Sequence, residues 1–265
     1  MSTYVMSDIH GCYEYFLTML DKIGFSDEDR LIMAGDYIDR GKQSYEMLKW
    51  IEQCPDNVRL IRGNHEEEFA SYVDLMVLVG MGKGVETDFT SHEDATALYG
   101  YVKYILRKKG FSVSYFDIYG TIRSLLSNYD ITLEDLCRWA EIIREMPYYH
   151  ELKVKNRVCI VVHAGYAERK EDVSTSFSSL RNFYLYAREK GYQLGGKRHG
   201  MVIAGHTPTI IKTEFTYNAG NVFRYYDERK DCIFYDIDCG CVFRGREPGA
   251  KLACLRLEDE TIFYV

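Results

Sequence analysis

The stretch LIMAGDYIDRG at residues 31–41 joins an apolar run to a turn that carries two carboxylates and one guanidinium. The run predicts a buried strand over Leu31–Ala34, and the glycines that flank the polar residues allow the turn to approach its neighbours closely. Such a strand delivers Asp36, Asp39 and Arg40 just beyond its carboxyl end. Because α/β sheets gather their functional groups at this edge, the stretch predicts both a fold class and a site.

Four further motifs follow the same plan: SDIHG at 7–11, RGNHE at 62–66, VVHAG at 161–165 and GHTP at 205–208. Each places a polar side chain after an apolar, strand-like run, so we expect these side chains to meet above the strand ends. The candidate metal ligands are Asp8, His10, Asp36, Asn64, His163 and His206. Oxygen and nitrogen donors without a thiolate suit Mn²⁺, Fe or Zn²⁺ better than Ca²⁺, and the set can hold two divalent ions if one carboxylate bridges.

Apolar runs bounded by Gly, Asp or Asn predict the remaining strands of an α/β fold. We expect strands over Tyr4–Ser7, Leu31–Ala34, Val58–Ile61, Val158–Val162, Met201–Ala204, Cys232–Ile237 and Leu252–Leu257, with TIFYV closing the chain. Helical patterns separate the first three strands, and this order implies a right-handed, largely parallel arrangement. The closely spaced C-terminal strands predict a more antiparallel sheet or edge.

Residues 67–157 separate the third and fourth predicted strands and contain helix-like segments. One of them is Thr132–Met146, where Thr132 and Asp135 fit a capping box ahead of an apolar face, while GMGKG at 80–84 predicts a flexible turn. Because no linker or repeat divides the chain, we expect a single domain over 1–265 with a helical, tyrosine-rich insertion at about 67–157. Two interpretations of the insertion stay open: a lid or specificity wall over the metals, and a helical decoration with surface tyrosines.

The overall charge limits the class of partner. A formal charge of −7 and a pI near 5.6 argue against a surface that grips extended nucleic acid, because such binding depends on clustered Lys and Arg. A nucleotide or a phosphoprotein in a local basic pocket is still allowed. No apolar run approaches the roughly 20 residues needed to span a bilayer, and catalytic-type sequence begins too early to leave room for a signal peptide. With eight cysteines interpreted as reduced thiols, we expect a cytoplasmic protein without a membrane partner.

Basic side chains near the candidate ligands predict how a phosphate would be held. The forked guanidinium groups of Arg40 and Arg62 match phosphate oxygens and are candidate phosphate clamps. His65 follows Asn64 directly and is placed to face a leaving-group oxygen, while Asp39 would hold its ring. The predicted site therefore combines two metals, phosphate clamps and a proton donor, which together favour a phosphoesterase.

The motifs SDIHG, GDYIDRG, RGNHE, VVHAG and GHTP, in this order, resemble those of the PPP-type metal-dependent serine/threonine protein phosphatases in the calcineurin-like metallophosphoesterase superfamily. The likeness is greatest to compact bacterial and bacteriophage members and spans the chain from Ser7 to about residue 243. It implies an αββα sandwich, in which two mixed β-sheets are flanked by helices. It also implies two ions, one held by Asp8, His10 and Asp36, the other by Asp36, Asn64, His163 and His206.

The resemblance further implies a mechanism. A hydroxide that bridges two metals, most simply Mn²⁺, would attack phosphorus in line. Arg40 and Arg62 would neutralise the phosphoryl oxygens, and His65, paired with Asp39, would protonate the leaving alkoxide. The family usually supplies one more arginine between its HAG and GHT motifs, and we assign that role to Arg188 in LYAREKG.

Three departures from the family pattern carry information. Ser7 replaces the first Gly of the first motif, which leaves both ligands of that motif in place. Tyr186 stands where a Trp is expected ahead of Arg188. His163 lies 98 residues after His65 (163 − 65), a longer separation than compact members need, and this excess is the predicted insertion.

Several functions are compatible with this set of residues. The first hypothesis is a phosphomonoesterase that acts on phosphoserine or phosphothreonine in proteins and on small phosphoesters. The alternative is a symmetric bis(5'-nucleosyl)-tetraphosphate hydrolase, since relatives with the same motifs cleave such dinucleotides. That activity needs a base-stacking pocket, which the tyrosine-rich insertion could supply. It also needs extra basic side chains along the polyphosphate, and the sequence shows no basic run that would supply them. A catalytically inactive phosphopeptide-binding scaffold is less favoured, because the ligand and proton-donor set is complete.

Overall fold

Ten strands and seven α-helices lie in the part of the chain that the computed structural model describes, residues 1–82, 90–111, 118–173, 175–188 and 196–265. The strands are β1 Thr3–Met6, β2 Arg30–Met33, β3 Val58–Leu60, β4 Tyr149–Val154, β5 Arg157–Val162, β6 Gly200–Ala204, β7 Phe223–Asp227, β8 Cys232–Asp236, β9 Ala253–Arg256 and β10 Thr261–Tyr264. The helices are α1 Tyr13–Ile23, α2 Ser44–Glu52, α3 Asn64–Gly82, α4 His92–Lys108, α5 Ile118–Asn128, α6 Leu133–Glu145 and α7 Leu180–Tyr186.

The strands form two mixed five-stranded sheets. The first sheet has the order β10-β9-β1-β2-β3, in which β1, β2 and β3 are parallel and β9 and β10 add antiparallel strands. The second has the order β4-β5-β6-β8-β7, with β5, β6 and β8 parallel and an antiparallel strand at each edge. The predicted parallel order of the first three strands and the antiparallel C-terminal strands are confirmed.

Alternating side chains of the central strands fill three apolar layers. In β1, Tyr4 packs with the helices outside the first sheet, whereas Val5 joins the cluster between the sheets. In β5, Val161 belongs to the same cluster between the sheets, and Ile160 packs on the outer side with Phe183 of α7. The layers therefore run helix, sheet, sheet, helix, which confirms the predicted αββα sandwich.

Four helices, α3 to α6, lie between β3 and β4 and share one apolar cluster with β1, α1 and α2. Helix α6 begins after Thr132, which exchanges side-chain-to-backbone hydrogen bonds with Asp135, so the predicted capping box is confirmed. Of the predicted turn GMGKG, the first three residues belong to α3 and the last two lie outside the described residues. Because the inserted helices and the first sheet share a core, we keep a single domain as our interpretation of the chain.

The sequence pattern misses two edge strands. β4 covers Tyr149–Val154, so the insertion is helical only as far as α6 and does not continue as helix to residue 157. Residues of β4 alternate between exposed and half-buried, and polar side chains such as Glu151 and Lys153 weaken the apolar signal. β7 is also largely exposed. Strands that bury little surface carry little of the pattern from which strands are predicted.

Two general features concern membrane-spanning helices and the state of the cysteines. No helix within the described ranges is both long and apolar enough to cross a membrane. All eight cysteines lie within those ranges, and all are free thiols.

Candidate metal centre

The loops that follow the parallel strands bring the candidate ligands to one end of the sandwich. Asp8 and His10 follow β1, Asp36 follows β2, Asn64 opens α3 after β3, His163 follows β5 and His206 follows β6. Their donor atoms fall into two groups, each with its atoms within 4.8 Å of one another: His10, Asp36 and His65 in one, Asp36, His163 and His206 in the other. Asp36 belongs to both groups.

Four of these residues have a left-handed backbone, with φ of 51° at Asp8, 47° at His10, 56° at Asp36 and 71° at His206. Each such residue costs on the order of 1 kcal/mol and persists only where its surroundings hold it. Glu66 supplies part of that hold, because its carboxylate accepts the backbone N–H of Asp36 at 2.8 Å. Asp8 Oδ2 likewise accepts the N–H of His206 at 3.0 Å. Hydrogen bonds therefore tie the ligand loops to one another.

The first group of donors contains His10 and Asp36, with Asp8 beside them. His10 Nε2 lies 3.5 Å from Asp36 Oδ2 and 3.9 Å from Asp8 Oδ1. The other ring nitrogen, Nδ1, donates to the Ile38 carbonyl at 2.9 Å, and this fixes the tautomer that leaves a lone pair on Nε2. Burial and the charge of Arg40 lower the pKa of His10 well below its usual value. The ring is therefore neutral, as a metal ligand must be.

The second group contains Asp36, His163 and His206, with Asn64 beside them. His163 Nδ1 donates to the Ala34 carbonyl at 2.9 Å, which leaves the lone pair of Nε2 directed into the site. That Nε2 lies 2.9 Å from Asn64 Oδ1, 3.1 Å from His206 Nδ1 and 3.4 Å from Asp36 Oδ1. Burial lowers the pKa of both histidines, so both rings are neutral at neutral pH.

This donor set fits two divalent cations that share one carboxylate. Oxygen and nitrogen lone pairs converge in each group, and a divalent cation is a favourable partner for such a set. Asp8 Oδ1 is buried and has no hydrogen-bond partner in the described part of the chain, as expected for an oxygen that binds metal. Although burial raises the pKa of Asp36, its electrostatic interactions with the neighbouring imidazoles, His163 first and then His65, hold that pKa well below its usual value. Asp36 is therefore a charged carboxylate placed between the two groups.

His65 is a member of the first group by distance, but its ring is held by a different partner, Asp39. Its Nδ1 is 2.7 Å from Asp39 Oδ2. Burial lowers the pKa of His65, but Asp36 and Asp39 raise it to about 9. Arg40 Nη2 lies 3.0 Å from His65 Nε2, and this contact is a hydrogen bond only in the neutral ring, which a pKa of about 9 makes the minor form at neutral pH. A phosphate that accepted the hydrogen bonds of Arg40 would free Nε2 to carry a proton.

Comparison with known proteins shows the family. Residues 1–209 match the calcineurin-like phosphoesterases. The chain belongs to this family. A symmetrical bis(5'-nucleosyl)-tetraphosphatase from Wigglesworthia glossinidia brevipalpis is 26% identical over 234 residues, which are 85% of this chain and 69% of that enzyme. The enzyme of the same name from Buchnera aphidicola subsp. Acyrthosiphon pisum is 48% identical over 67 residues, a match that spans 25% of this chain and only 24% of the relative's length.

Solved structures share the fold of this phosphoesterase. A protein provisionally assigned as a diadenosine tetraphosphatase gives a TM-score of 0.54 at 15% identity, over 99% of this chain and 92% of the other. A protein serine/threonine phosphatase from Saccharomyces cerevisiae gives 0.51 at 13% identity, over 100% and 79%. At these identities the likeness establishes the fold and not the substrate. The predicted superfamily is thus confirmed, whereas these sequence relatives are named for tetraphosphate hydrolysis and not for protein dephosphorylation.

The structure turns the Arg62 guanidinium toward the inserted helices, so its observed partners do not support the predicted phosphate clamp. Nη1 donates to Glu67 Oε2 at 2.9 Å and to the Tyr148 hydroxyl at 3.1 Å, and Nη2 donates to the carbonyls of Arg144 and Met146. The side chain is buried, with the guanidinium carbon 4.8 Å from the centre of the Tyr148 ring. Arg62 therefore joins α3 to the end of α6, and Glu67 balances its charge.

A cavity of about 520 Å³ opens beside the metal centre of this phosphoesterase, and His206 forms part of its wall. Three guanidinium groups and an apolar surface also line it, from Arg40, Arg188 and Arg246 and from Pro208, Ile211 and Phe243. Arg188 Nη1 donates to Glu214 Oε1 at 3.0 Å, which holds that guanidinium at the wall. Arg188 and Arg246 thus lie in the wall of the cavity beside His206, and the phosphate-binding role of Arg188 stays a prediction.

Two carboxyl groups of the site escape prediction as functional residues. Glu66 is fully buried and accepts hydrogen bonds from the backbone of Asp36, Tyr37 and Gly63. Its place inside RGNHE is a signal, but spacing alone does not reveal what it binds. Asp238 accepts the Gly240 N–H at 2.9 Å and so orders its turn, while burial raises its pKa to about 7. The role of Glu66 cannot be assigned without the tertiary fold.

Proposed function

We propose that this phosphoesterase hydrolyses a dinucleoside polyphosphate, with a symmetric bis(5'-nucleosyl) tetraphosphate as the substrate that fits best. The observation that carries the proposal is the 520 Å³ cavity beside the metal centre. Three guanidinium groups suit several phosphates in a row, whereas a phosphomonoester offers only one. The apolar wall with Phe243 suits the face of a base, and the volume lies within the range of small-molecule pockets.

The proposed cations occupy the two donor groups. We assign one to Asp8, His10 and Asp36 and the other to Asp36, Asn64, His163 and His206. Because the donors are oxygen and nitrogen only, we propose Mn²⁺, with Fe or Zn²⁺ as alternatives. Cations bound there would supply a nucleophile near neutral pH and Lewis-acid stabilisation of the phosphoryl group. The Arg40 guanidinium, whose Nη1 is 3.2 Å from His10 Nε2, would donate to a phosphoryl oxygen bound beside the cations.

The proposed reaction consumes one water. Its oxygen bonds to a phosphorus next to the central anhydride of the tetraphosphate, the anhydride P–O bond breaks, and two nucleoside diphosphates are released, with the protons of the water passing to the products and to solvent. Arg188, held by Glu214, and Arg246 are proposed to bind the phosphates that leave. A nucleoside diphosphate is a weakly basic leaving group, so this reaction depends little on proton donation by His65.

A second candidate is hydrolysis of phosphoserine or phosphothreonine in proteins, the function that the sequence favours first. The His65–Asp39 pair supports it, because the alkoxide of a serine is strongly basic and needs a proton as it leaves. The cavity, however, holds more guanidinium groups than one phosphate can use. We therefore rank the phosphoprotein second. We also propose a cytoplasmic site of action, in keeping with eight free thiols.

The test compares diadenosine tetraphosphate with a phosphoserine peptide, each with Mn²⁺ and with chelator. We expect chelator-sensitive turnover that is faster on the dinucleotide. Arg246→Ala should raise KM for the dinucleotide at least about tenfold more than KM for 4-nitrophenyl phosphate, because one charged contact to the polyphosphate is lost. Arg244→Ala is the matched control, since the Arg244 guanidinium lies 4.1 Å above the Tyr15 ring.

Faster turnover of the peptide, or an equal change of KM in both arginine variants, would contradict the dinucleotide proposal. Hydrolysis of neither substrate by the metal-loaded protein would instead support the phosphopeptide-binding scaffold.

A further inference from the structure

The inserted helical layer reaches the site through Thr121, near the start of α5. The Thr121 hydroxyl donates to Asp39 Oδ1 and accepts the backbone N–H of Asp39 at 3.0 Å. The backbone N–H of Thr121 also donates to Asp39 Oδ1, at 3.3 Å. Both residues are buried, with exposed fractions of 2% and 1%. Three hydrogen bonds therefore join two residues that lie 82 positions apart in the sequence.

Thr121 supplies Asp39 with a backbone donor as well as a hydroxyl, and a carboxylate oxygen is a suitable acceptor for both. Asp39 itself has a left-handed backbone with φ of 70°, a conformation that its neighbours must hold.

The two oxygens of Asp39 have separate tasks. Oδ2 accepts the hydrogen bond of His65 Nδ1 at 2.7 Å, and Oδ1 faces both donors of Thr121. With both oxygens engaged, the carboxylate cannot rotate without breaking a buried hydrogen bond. The ring of His65 is oriented by Oδ2, so Thr121 fixes the direction of the His65 ring through Asp39.

We propose that Thr121 is a positioning residue for leaving-group protonation, supplied to the site by the inserted helices. The inference rests on the proposed role of His65 as proton donor and not on the identity of the nucleotide substrate. Loss of the hydroxyl leaves Asp39 Oδ1 with only the longer hydrogen bond from the Thr121 backbone N–H, and the His65 ring then loses its alignment with the leaving oxygen. The defect is greatest where the leaving group most needs a proton.

The test uses Thr121→Val, which keeps the shape and removes the hydroxyl, and Thr121→Ser, which retains it. Substrates are 4-nitrophenyl phosphate, with a weakly basic leaving group, and phenyl phosphate, with a more basic one. We expect Thr121→Val to lower kcat for phenyl phosphate about tenfold more than for 4-nitrophenyl phosphate, with KM and bound Mn²⁺ unchanged. Thr121→Ser should restore most of the lost rate. Thr121→Ala serves as a second variant if Thr121→Val does not fold.

His65→Asn, assayed beside them, separates two kinds of failure. If His65→Asn discriminates between the substrates and the Thr121 variants do not, the positioning role is wrong and the proton-donor role stands. If His65→Asn slows both substrates equally, the proton-donor role fails and the Thr121 inference fails with it. Equal slowing of both substrates by Thr121→Val, without rescue by Thr121→Ser, would show a purely structural role and also overturn the inference.

Discussion

Glu66→Gln should destabilise the protein although the two side chains have the same shape. Glu66 Oε1 accepts the N–H groups of Tyr37 at 2.8 Å and Ile38 at 3.4 Å, and Oε2 accepts those of Asp36 at 2.8 Å and Gly63 at 3.1 Å. A glutamine places an NH₂ group at one of these oxygens, so two buried N–H groups lose their acceptor. At about 1–3 kcal/mol for each buried unpaired group, the loss is about 2–6 kcal/mol.

Part of that loss is offset, because the buried charge of Glu66 is itself unfavourable. Burial, followed by the nearby charge of Asp36, raises the pKa of Glu66 to about 8, and the neutral glutamine removes this penalty. We therefore expect the lower half of the range, about 2–4 kcal/mol, out of a total stability of about 5–15 kcal/mol for a typical protein.

Urea unfolding of the metal-free protein above pH 8, where the Glu66 carboxylate is ionised, measures this loss. Glu68→Gln is the matched control, because Glu68 lies in the same helix, is partly exposed and accepts a hydrogen bond from the Tyr186 hydroxyl. We expect that control to change the free energy of unfolding by less than about 1 kcal/mol. A Glu66→Gln variant as stable as the control would refute the reasoning from unpaired amides.

Three further predictions concern the metals. Asp36→Asn should weaken or empty both metal sites, because Asp36 belongs to both donor groups, whereas His65→Asn should keep its metals. Emission spectroscopy counts the bound ions, and two ions retained by Asp36→Asn would contradict the bridging role. Metal affinity should rise between about pH 6 and 8. Burial and the charges of Asp238 and Asp36 raise the pKa of Asp8, and burial raises the pKa of Asp238 to about 7. At the lower pH these carboxyl groups hold protons that a cation must displace. Calorimetry in two buffers of different ionisation enthalpy detects those protons, and an affinity independent of pH would count against the linkage. Gly205→Ala should lose metal, because an added Cβ would lie 2.0 Å from Asp8 Oδ2. Wild-type metal content in that variant would show that the loop moves enough to accept the Cβ and would contradict the prediction.

The central strands of the sandwich could be predicted because their side chains are buried on both faces. Val5 and Tyr4 point into different apolar layers, so both faces of β1 are buried and its sequence is a continuous apolar run. Strands β5 and β6 are also buried on both faces and have similar apolar runs. β4 and β7 lie at sheet edges and expose much of their length, so they carry little apolar signal. The helical insertion is visible in sequence, but its contact with Asp39 is not, since Thr121 lies 82 positions away.

The candidate site could be predicted where residue type and strand position suffice, and not where a side chain has a choice of partners. Asp36 and His163 follow strands whose ends converge, so the topology alone brings them together. The direction of Arg62 depends on Glu67 and on carbonyl groups at the end of α6, which no local pattern reveals. Arg246 likewise joins the cavity only through the fold of the C-terminal segment.

The second donor group draws on both sheets. Asp36 and Asn64 follow strands of the first sheet, and His163 and His206 follow strands of the second. An ion bound there would cross-link the two halves of the sandwich at one end, so its binding free energy would add to the free energy of unfolding. A cell short of divalent metal would then hold less of this protein as well as a less active form of it, because chains that unfold more often are removed faster by proteases.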